Sequence, residues 1–117
     1  MSTREIGLEA ESRAEHELIR LGYRILARNF RARRGELDVV AEEGETLCFV
    51  EVRSRGRLDL GRPEETIGAE KRRRIALAAE EWLIANACAD RLCRFDVMAV
   101  DEDSVTLFRD AFRQDGL

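Results

Sequence analysis

The chain has 117 residues, of which 44% are hydrophobic and 38% charged, with 20 Lys and Arg against 24 Asp and Glu and a formal net charge of −4. Such a length builds one hydrophobic core but not two, so a single domain spanning residues 1–117 is predicted. The acidic balance excludes an overall basic field that would draw the protein to nucleic acid, and leaves only local cationic clusters to do so.

Ser2 followed by Glu5 is a capping-box signature, and it opens a helix that runs to about Leu21 and stops at Gly22. Its inward stripe is Ala14, Leu18 and Leu21, with Ala10 at the edge. The same spacing carried backwards sets Glu11 beside Ala14 and one turn from Leu18, on or near the buried side. A solvated charge on the flank of the stripe explains Glu11 equally well. Tyr23 to Leu26 read as a short strand or extended approach, and Arg28 to Arg34 as a polar loop whose cations lead into Gly35 and Asp38.

Two short strands follow, with charges in unexpected places. Asp38 opens the first. Leu47, Cys48, Phe49, Val50 and Val52 make the second a nearly continuous apolar run, the pattern of a strand covered on both faces, yet Glu51 and Arg53 lie inside it. Burying an ion without a partner costs several kcal/mol, so those charges need a reason. The intervening Glu-Glu-Gly-Glu is a hairpin signal, and residues two apart on a strand share a face, which aligns Glu51 with Arg53. A loop with an even count, either Glu43 and Gly44 or Glu43 to Thr46, brings Asp38 to that face too, opposite Phe49 or Glu51; a loop of three sends it to the other. Even registers therefore converge two carboxylates and a guanidinium, and a hard divalent cation such as Mg²⁺ is the usual way to keep both carboxylates ionised. Glu36 shares the face of Asp38.

Ser54 to Pro63 holds Gly56, Gly61 and the only proline, and is a predicted loop. A second helix runs from about Glu64 or Ala69 to Asn86, with Ile75, Ala78, Ala79, Trp82 and Ala85 or Asn86 as its apolar stripe. Lys71 to Arg74 lie in its first turns, where cations oppose the helix dipole. Simple helix solubility accounts for them as well as any contact with phosphate does. Arg91 to Val100 reads as a third main strand containing Asp96, a structural residue more than a ligand; Asp103 and Ser104 turn it into Val105 to Phe108. Asp110 to Arg113 then begin a short terminal helix. The order implies an α/β sandwich with a mixed central sheet flanked by helices. Three cysteines, an odd number, with no signal peptide and no long apolar segment, fit a reducing cytoplasm. Cys48 reads as core, and neither Cys88 nor Cys93 has companion ligands at zinc spacing.

Asp38 followed by Glu51-x-Arg53 resembles the Asp…Glu-x-Lys pattern of the PD-(D/E)XK nuclease superfamily. More closely, Gly-Glu-Leu-Asp-Val-Val-Ala, Phe-Val-Glu-Val-Arg-Ser-Arg, Lys71-x-x-Arg74-Ile75 and Arg94-Phe95-Asp96-Val97 are similar to the YraN-type bacterial family, a Holliday-junction-resolvase-like branch; the similarity runs from about Gly7 to Phe112. The resemblance implies a restriction-endonuclease-like sandwich and a metal-dependent DNA endonuclease acting on branched DNA. It implies a Mg²⁺ or Mn²⁺ held by Asp38, Glu51 and the Val52 carbonyl, with Glu11 assisting from the first helix. It further implies Arg53 in the lysine position, while the local cationic clusters offer Arg31, Arg33, Arg34, Arg55, Lys71 and Arg74 as candidates against nucleic acid. Arginine is always protonated and can stabilise charge on phosphate but cannot take a proton. A homodimer would suit a junction substrate. The competing expectation is a nucleic-acid-binding or protein-interaction module that keeps the nuclease fold without turnover.

Overall fold

The computed structural model describes residues 2–54 and 67–114. Helix α1 covers Thr3–Arg20, strand β1 Arg24–Arg31, β2 Glu36–Glu43, β3 Thr46–Ser54, helix α2 Ala69–Ala85, β4 Cys93–Val100 and β5 Val105–Phe112. The five strands form one sheet in the order β1-β2-β3-β4-β5. Its pairings are antiparallel except for β3 with β4, which run parallel. A parallel pair cannot be joined by a hairpin, so the chain crosses over between them, and α2 lies in that crossover. The result is an α/β protein with a mixed sheet between two helices, compatible with a restriction-endonuclease-like sandwich.

The capping box forms as predicted. Ser2 Oγ accepts from the Glu5 N–H at 3.1 Å, while the Glu5 carboxylate accepts from the Ser2 N–H at 3.4 Å. The helix ends where Gly22 takes φ +94°, a conformation that costs other residues a steric penalty. Ala10, Ala14 and Leu18 of α1 then pack on one sheet face, against Val39, Ala41, Cys48, Val50, Met98 and Val100. On the other face α2 lays Ile75, Ala79, Trp82 and Leu83 over Leu47, Phe49, Phe95 and Val97. Trp82 meets Phe49 edge-on at 6.2 Å between centroids, a favoured aromatic geometry. Strand β3, at the centre, is buried from Leu47 through Glu51, which is why its sequence reads as an unbroken apolar run.

Three expectations are corrected. Strand β1 continues to Arg31: Arg28, Phe30 and Arg31 pair with Val39, Leu37 and Glu36, so these residues are strand and not loop. As an edge strand it tolerates arginines, whose side chains reach water while the backbone pairs inward. Strand β5 likewise continues to Phe112 in place of the terminal helix. Asp110 adopts φ +51° and its N–H is bound by the Asp96 carboxylate at 2.9 Å, which absorbs a register shift and lets Phe112 pair and stack with Phe95. On α2 the last buried positions are Trp82 and Leu83; Ala85 and Asn86 are exposed, because the helix ends there with Asn86 as its C-cap. The predicted Ser54 to Pro63 loop, apart from Ser54, lies outside the described residues, as does Glu64. Among the described residues no helix is long and apolar enough to cross a membrane.

Candidate active-site cleft

Asp38 and Glu51 are brought together by the hairpin register. Glu42 pairs with Leu47 and Val39 with Val50, so the register, carried one residue further, sets Asp38 opposite Glu51, one of the two even-loop outcomes. The turn itself is shorter than the four-residue alternative, because Glu43 and Thr46 also pair. Glu51 shares the parity of Leu47 and Phe49 and therefore faces α2. On β2 the alternation breaks around Asp38: Leu37 belongs to the α2-side core, whereas Val39 belongs to the α1-side core. Across β1 the matching position, Asn29, has φ +49°. The Asp38 side chain bridges this irregularity, its Oδ2 accepting from the Val52 N–H at 2.8 Å.

Glu51 is 6% exposed and lines the same cleft as Asp38, from the facing position on the neighbouring strand. Lys71 reaches it from the first turn of α2, with Nζ 2.7 Å from Oε1. Burial, then the Asp38 charge, push the Glu51 carboxyl above the ordinary carboxylate range; the Lys71 ammonium pulls it back and does not prevail. These two carboxyls open into a cleft of about 470 Å³, whose walls carry Arg31, Arg34, Lys71 and Arg74 together with Glu36. Strand β1 and its turn supply the two arginines, and α2 supplies the other two cations.

The turn is seated directly on α2. Ala32 donates to the Gly35 carbonyl at 2.8 Å, closing it. The Arg33 N–H donates to the Glu81 carboxylate at 2.8 Å. A Cβ on Gly35 would stand 2.5 Å from the Arg74 carbonyl oxygen, so only glycine allows this approach.

Glu11 comes from α1, on the far side of the sheet. Its carboxyl is raised by partial burial and by the charges of Asp38, Glu36 and Glu15, while a hydrogen bond from Asn29 opposes the rise. It therefore senses Asp38, but among the described residues no three His, Cys, Asp or Glu side chains gather closely enough to hold a metal ion. Arg53 is half-buried, in register with Ala99, and partnered; the described lining of the cleft does not include it. Arg33 lines a separate groove with Leu77 and Ile84. Arg55 lies outside the described residues.

Asp96 behaves as a structural carboxylate. It is fully buried and accepts from Tyr23 Oη at 2.9 Å, Arg94 Nε at 2.8 Å and the Asp110 N–H at 2.9 Å. Cys48 is buried beside this network, and burial first pushes its thiol up to about 12, so it is inert core at neutral pH.

The feature that sequence reasoning missed is the Lys71–Glu51 pair. The signal available was a lysine among cations opposing the helix dipole just after the crossover, which marks a use for charge without identifying its partner.

The fold and this acidic pair beneath basic walls define an α/β-sandwich protein with a charged cleft. The family model described as uncharacterised protein family UPF0102 matches residues 10–100, and the chain belongs to that family. It is 47% identical over 114 residues to a UPF0102 protein of Anaeromyxobacter sp. (strain Fw109-5), with 94% of this chain and 86% of that protein covered. A UPF0102 protein of Dechloromonas aromatica is 45% identical, covering 93% and 89%. One from Lachnoclostridium phytofermentans is 42% identical, covering 96% of each.

Proposed function

We propose that the protein is a divalent-metal-dependent endonuclease that hydrolyses DNA phosphodiesters, with branched DNA as the favoured substrate. The observation that carries this is the convergence of Asp38 and Glu51, from facing positions on β2 and β3, in a cleft walled by Arg31, Arg34, Lys71 and Arg74. Two neighbouring carboxyls repel once both are ionised, and a hard cation relieves that repulsion. The donor set fits Mg²⁺ or Mn²⁺: Mg²⁺ is commonly held by one or two carboxylates, with water and phosphate oxygens completing its shell. Asp38 and Glu51 would hold the ion, which when bound supplies Lewis acidity toward a phosphoryl oxygen and a water of lowered pKa.

The remaining steps belong to the chain's own groups. Arg31, Arg34 and Arg74 bind and orient phosphates with fixed positive charge. The Val52 N–H holds one Asp38 oxygen and so fixes that carboxylate's orientation. Glu11, across the sheet, adds negative potential at Asp38 and is a candidate for an outer ligand through water. Arg53, in the lysine position of the resemblance, supplies fixed positive charge and does not move protons. The likeness of the four sequence blocks to resolvase-like nucleases supports branched DNA and a homodimeric state, since a junction offers two strands to cut.

Cleavage of linear, nicked, flapped and four-way DNA in a Mg²⁺ or Mn²⁺ titration tests the reading. Activity is expected in the wild type, with loss in Asp38→Asn and Glu51→Gln. The absence of three clustered ligands among the described residues favours a second reading, a DNA-binding module without turnover. That reading prevails if DNA binds in the cleft and no substrate is cut with either ion.

A further inference from the structure

We propose that Lys71 is the resident counter-ion of the site, occupying the place on Glu51 that a divalent cation takes when it binds, and that its displacement turns the ammonium toward the phosphate. The inference rests on the metal-dependent reading above. Its basis is geometric. Lys71 Nζ stands 2.7 Å from Glu51 Oε1, and its side chain is 42% exposed while that of Glu51 is 7% exposed. The carboxylate is thus fixed in the floor, whereas the ammonium sits at the end of a long stem that opens to water. One partner can leave and the other cannot.

Asp38 lines the same cleft beside Glu51, with one of its oxygens taken by the Val52 N–H. A cation that bridges both carboxyls must therefore engage Glu51 against Lys71, and two positive charges at such separation repel strongly. Lys71 also lines the cleft with Arg31, Arg34 and Arg74, so once released from Glu51 it faces the volume in which those arginines would hold phosphate. A flexible ammonium suits this exchange better than a guanidinium, whose planar fork holds a carboxylate at two points. From the crossover helix Lys71 thus adds a movable charge to the fixed one that Arg53 carries at the lysine position of the Glu-x-Lys pattern.

The test uses the full chain and has a readout independent of cleavage. Mn²⁺ affinity is measured by calorimetry at pH 8.5 in the wild type, Lys71→Met and Asp38→Asn. Removing the competing cation should tighten Mn²⁺ binding in Lys71→Met by roughly tenfold, while Asp38→Asn binds weakly. In Ca²⁺-loaded protein, DNA affinity of Lys71→Met should fall, with its salt slope reduced by about 0.9, one phosphate contact. As a check that needs no substitution, the side-chain NMR signal of Lys71 should shift on adding Mg²⁺ and stay in place in Asp38→Asn. Equal or weaker Mn²⁺ binding in Lys71→Met, or an unmoved Lys71 signal in metal-loaded wild type, overturns the counter-ion role and leaves the nuclease reading standing. Failure of wild type to bind Mn²⁺ overturns both.

Discussion

The Val52 N–H donates to Asp38 Oδ2 at 2.8 Å, so a side chain takes over from the main chain where β2 and β3 stop pairing. The two roles of Asp38, in the fold and in the proposed chemistry, can therefore be separated by substitution. Asp38→Asn keeps an acceptor for Val52 and removes a charge beside Glu51, so its stability should lie within about 1 kcal/mol of wild type, whereas Asp38→Ala strands the Val52 N–H at a cost of about 1–3 kcal/mol. Both should abolish metal-dependent cleavage. Urea denaturation of the pair checks this, and equal stabilities for Asn and Ala would remove the structural role.

Gly35→Ala should damage binding from outside the carboxylate pair. The new Cβ meets backbone, not a yielding side-chain tip, so the turn must lift from α2. A loss of about 1–3 kcal/mol is expected from the strain, with weaker DNA binding and little change in Mn²⁺ affinity. Unchanged thermal stability would mean that the turn moves aside freely.

The arginines of β1 and its turn should divide by position. Arg31→Ala and Arg34→Ala should each reduce the slope of log K against log salt for DNA binding by about 0.9, because both line the cleft. Arg33→Ala should leave the slope unchanged, since that residue lines a different groove. A larger effect from Arg33 than from its neighbours would move the DNA path to the outer side of α2.

Acid sensitivity should appear far from the cleft, at Glu43. A hydrogen bond from Arg109 above all holds its carboxyl down at about 2; burial, the next influence, opposes this, and a hydrogen bond from Arg94 adds to the lowering. A folded-state value below the unfolded one stabilises the protein above the unfolded pKa and loses that contribution as pH falls through the folded pKa. The window therefore runs from about pH 4.5 to about pH 2. With the side chain 30% exposed, screening limits the effect to about 1 kcal/mol. Glu43→Gln should be less stable than wild type at pH 7, and the gap should close across that window in denaturation curves; a constant gap would assign the effect to packing.

Local rules made much of this legible. The Ser2 and Glu5 capping box, the Gly22 stop and the two-residue period of β3 are decided by near neighbours, and so was the parity that joins Asp38 to Glu51. What escaped depends on distant partners. Strand β1 runs on to Arg31 because β2 offers it hydrogen bonds, and β5 runs on to Phe112 because Asp96 catches the Asp110 N–H; neither bond is written in local propensity. Lys71 meets Glu51 only because the crossover sets α2 at one height over the sheet, and no periodicity within the helix encodes that height.

The seating of Gly35 on the Arg74 carbonyl, with Arg33 tied to Glu81, joins the two walls of the cleft into one piece before any ligand arrives. Such an opening works as a fixed gauge instead of a jaw. Among these residues, selection between substrates then acts through what can enter at the set width, and discrimination should appear in association rates more than in the lifetime of the bound state.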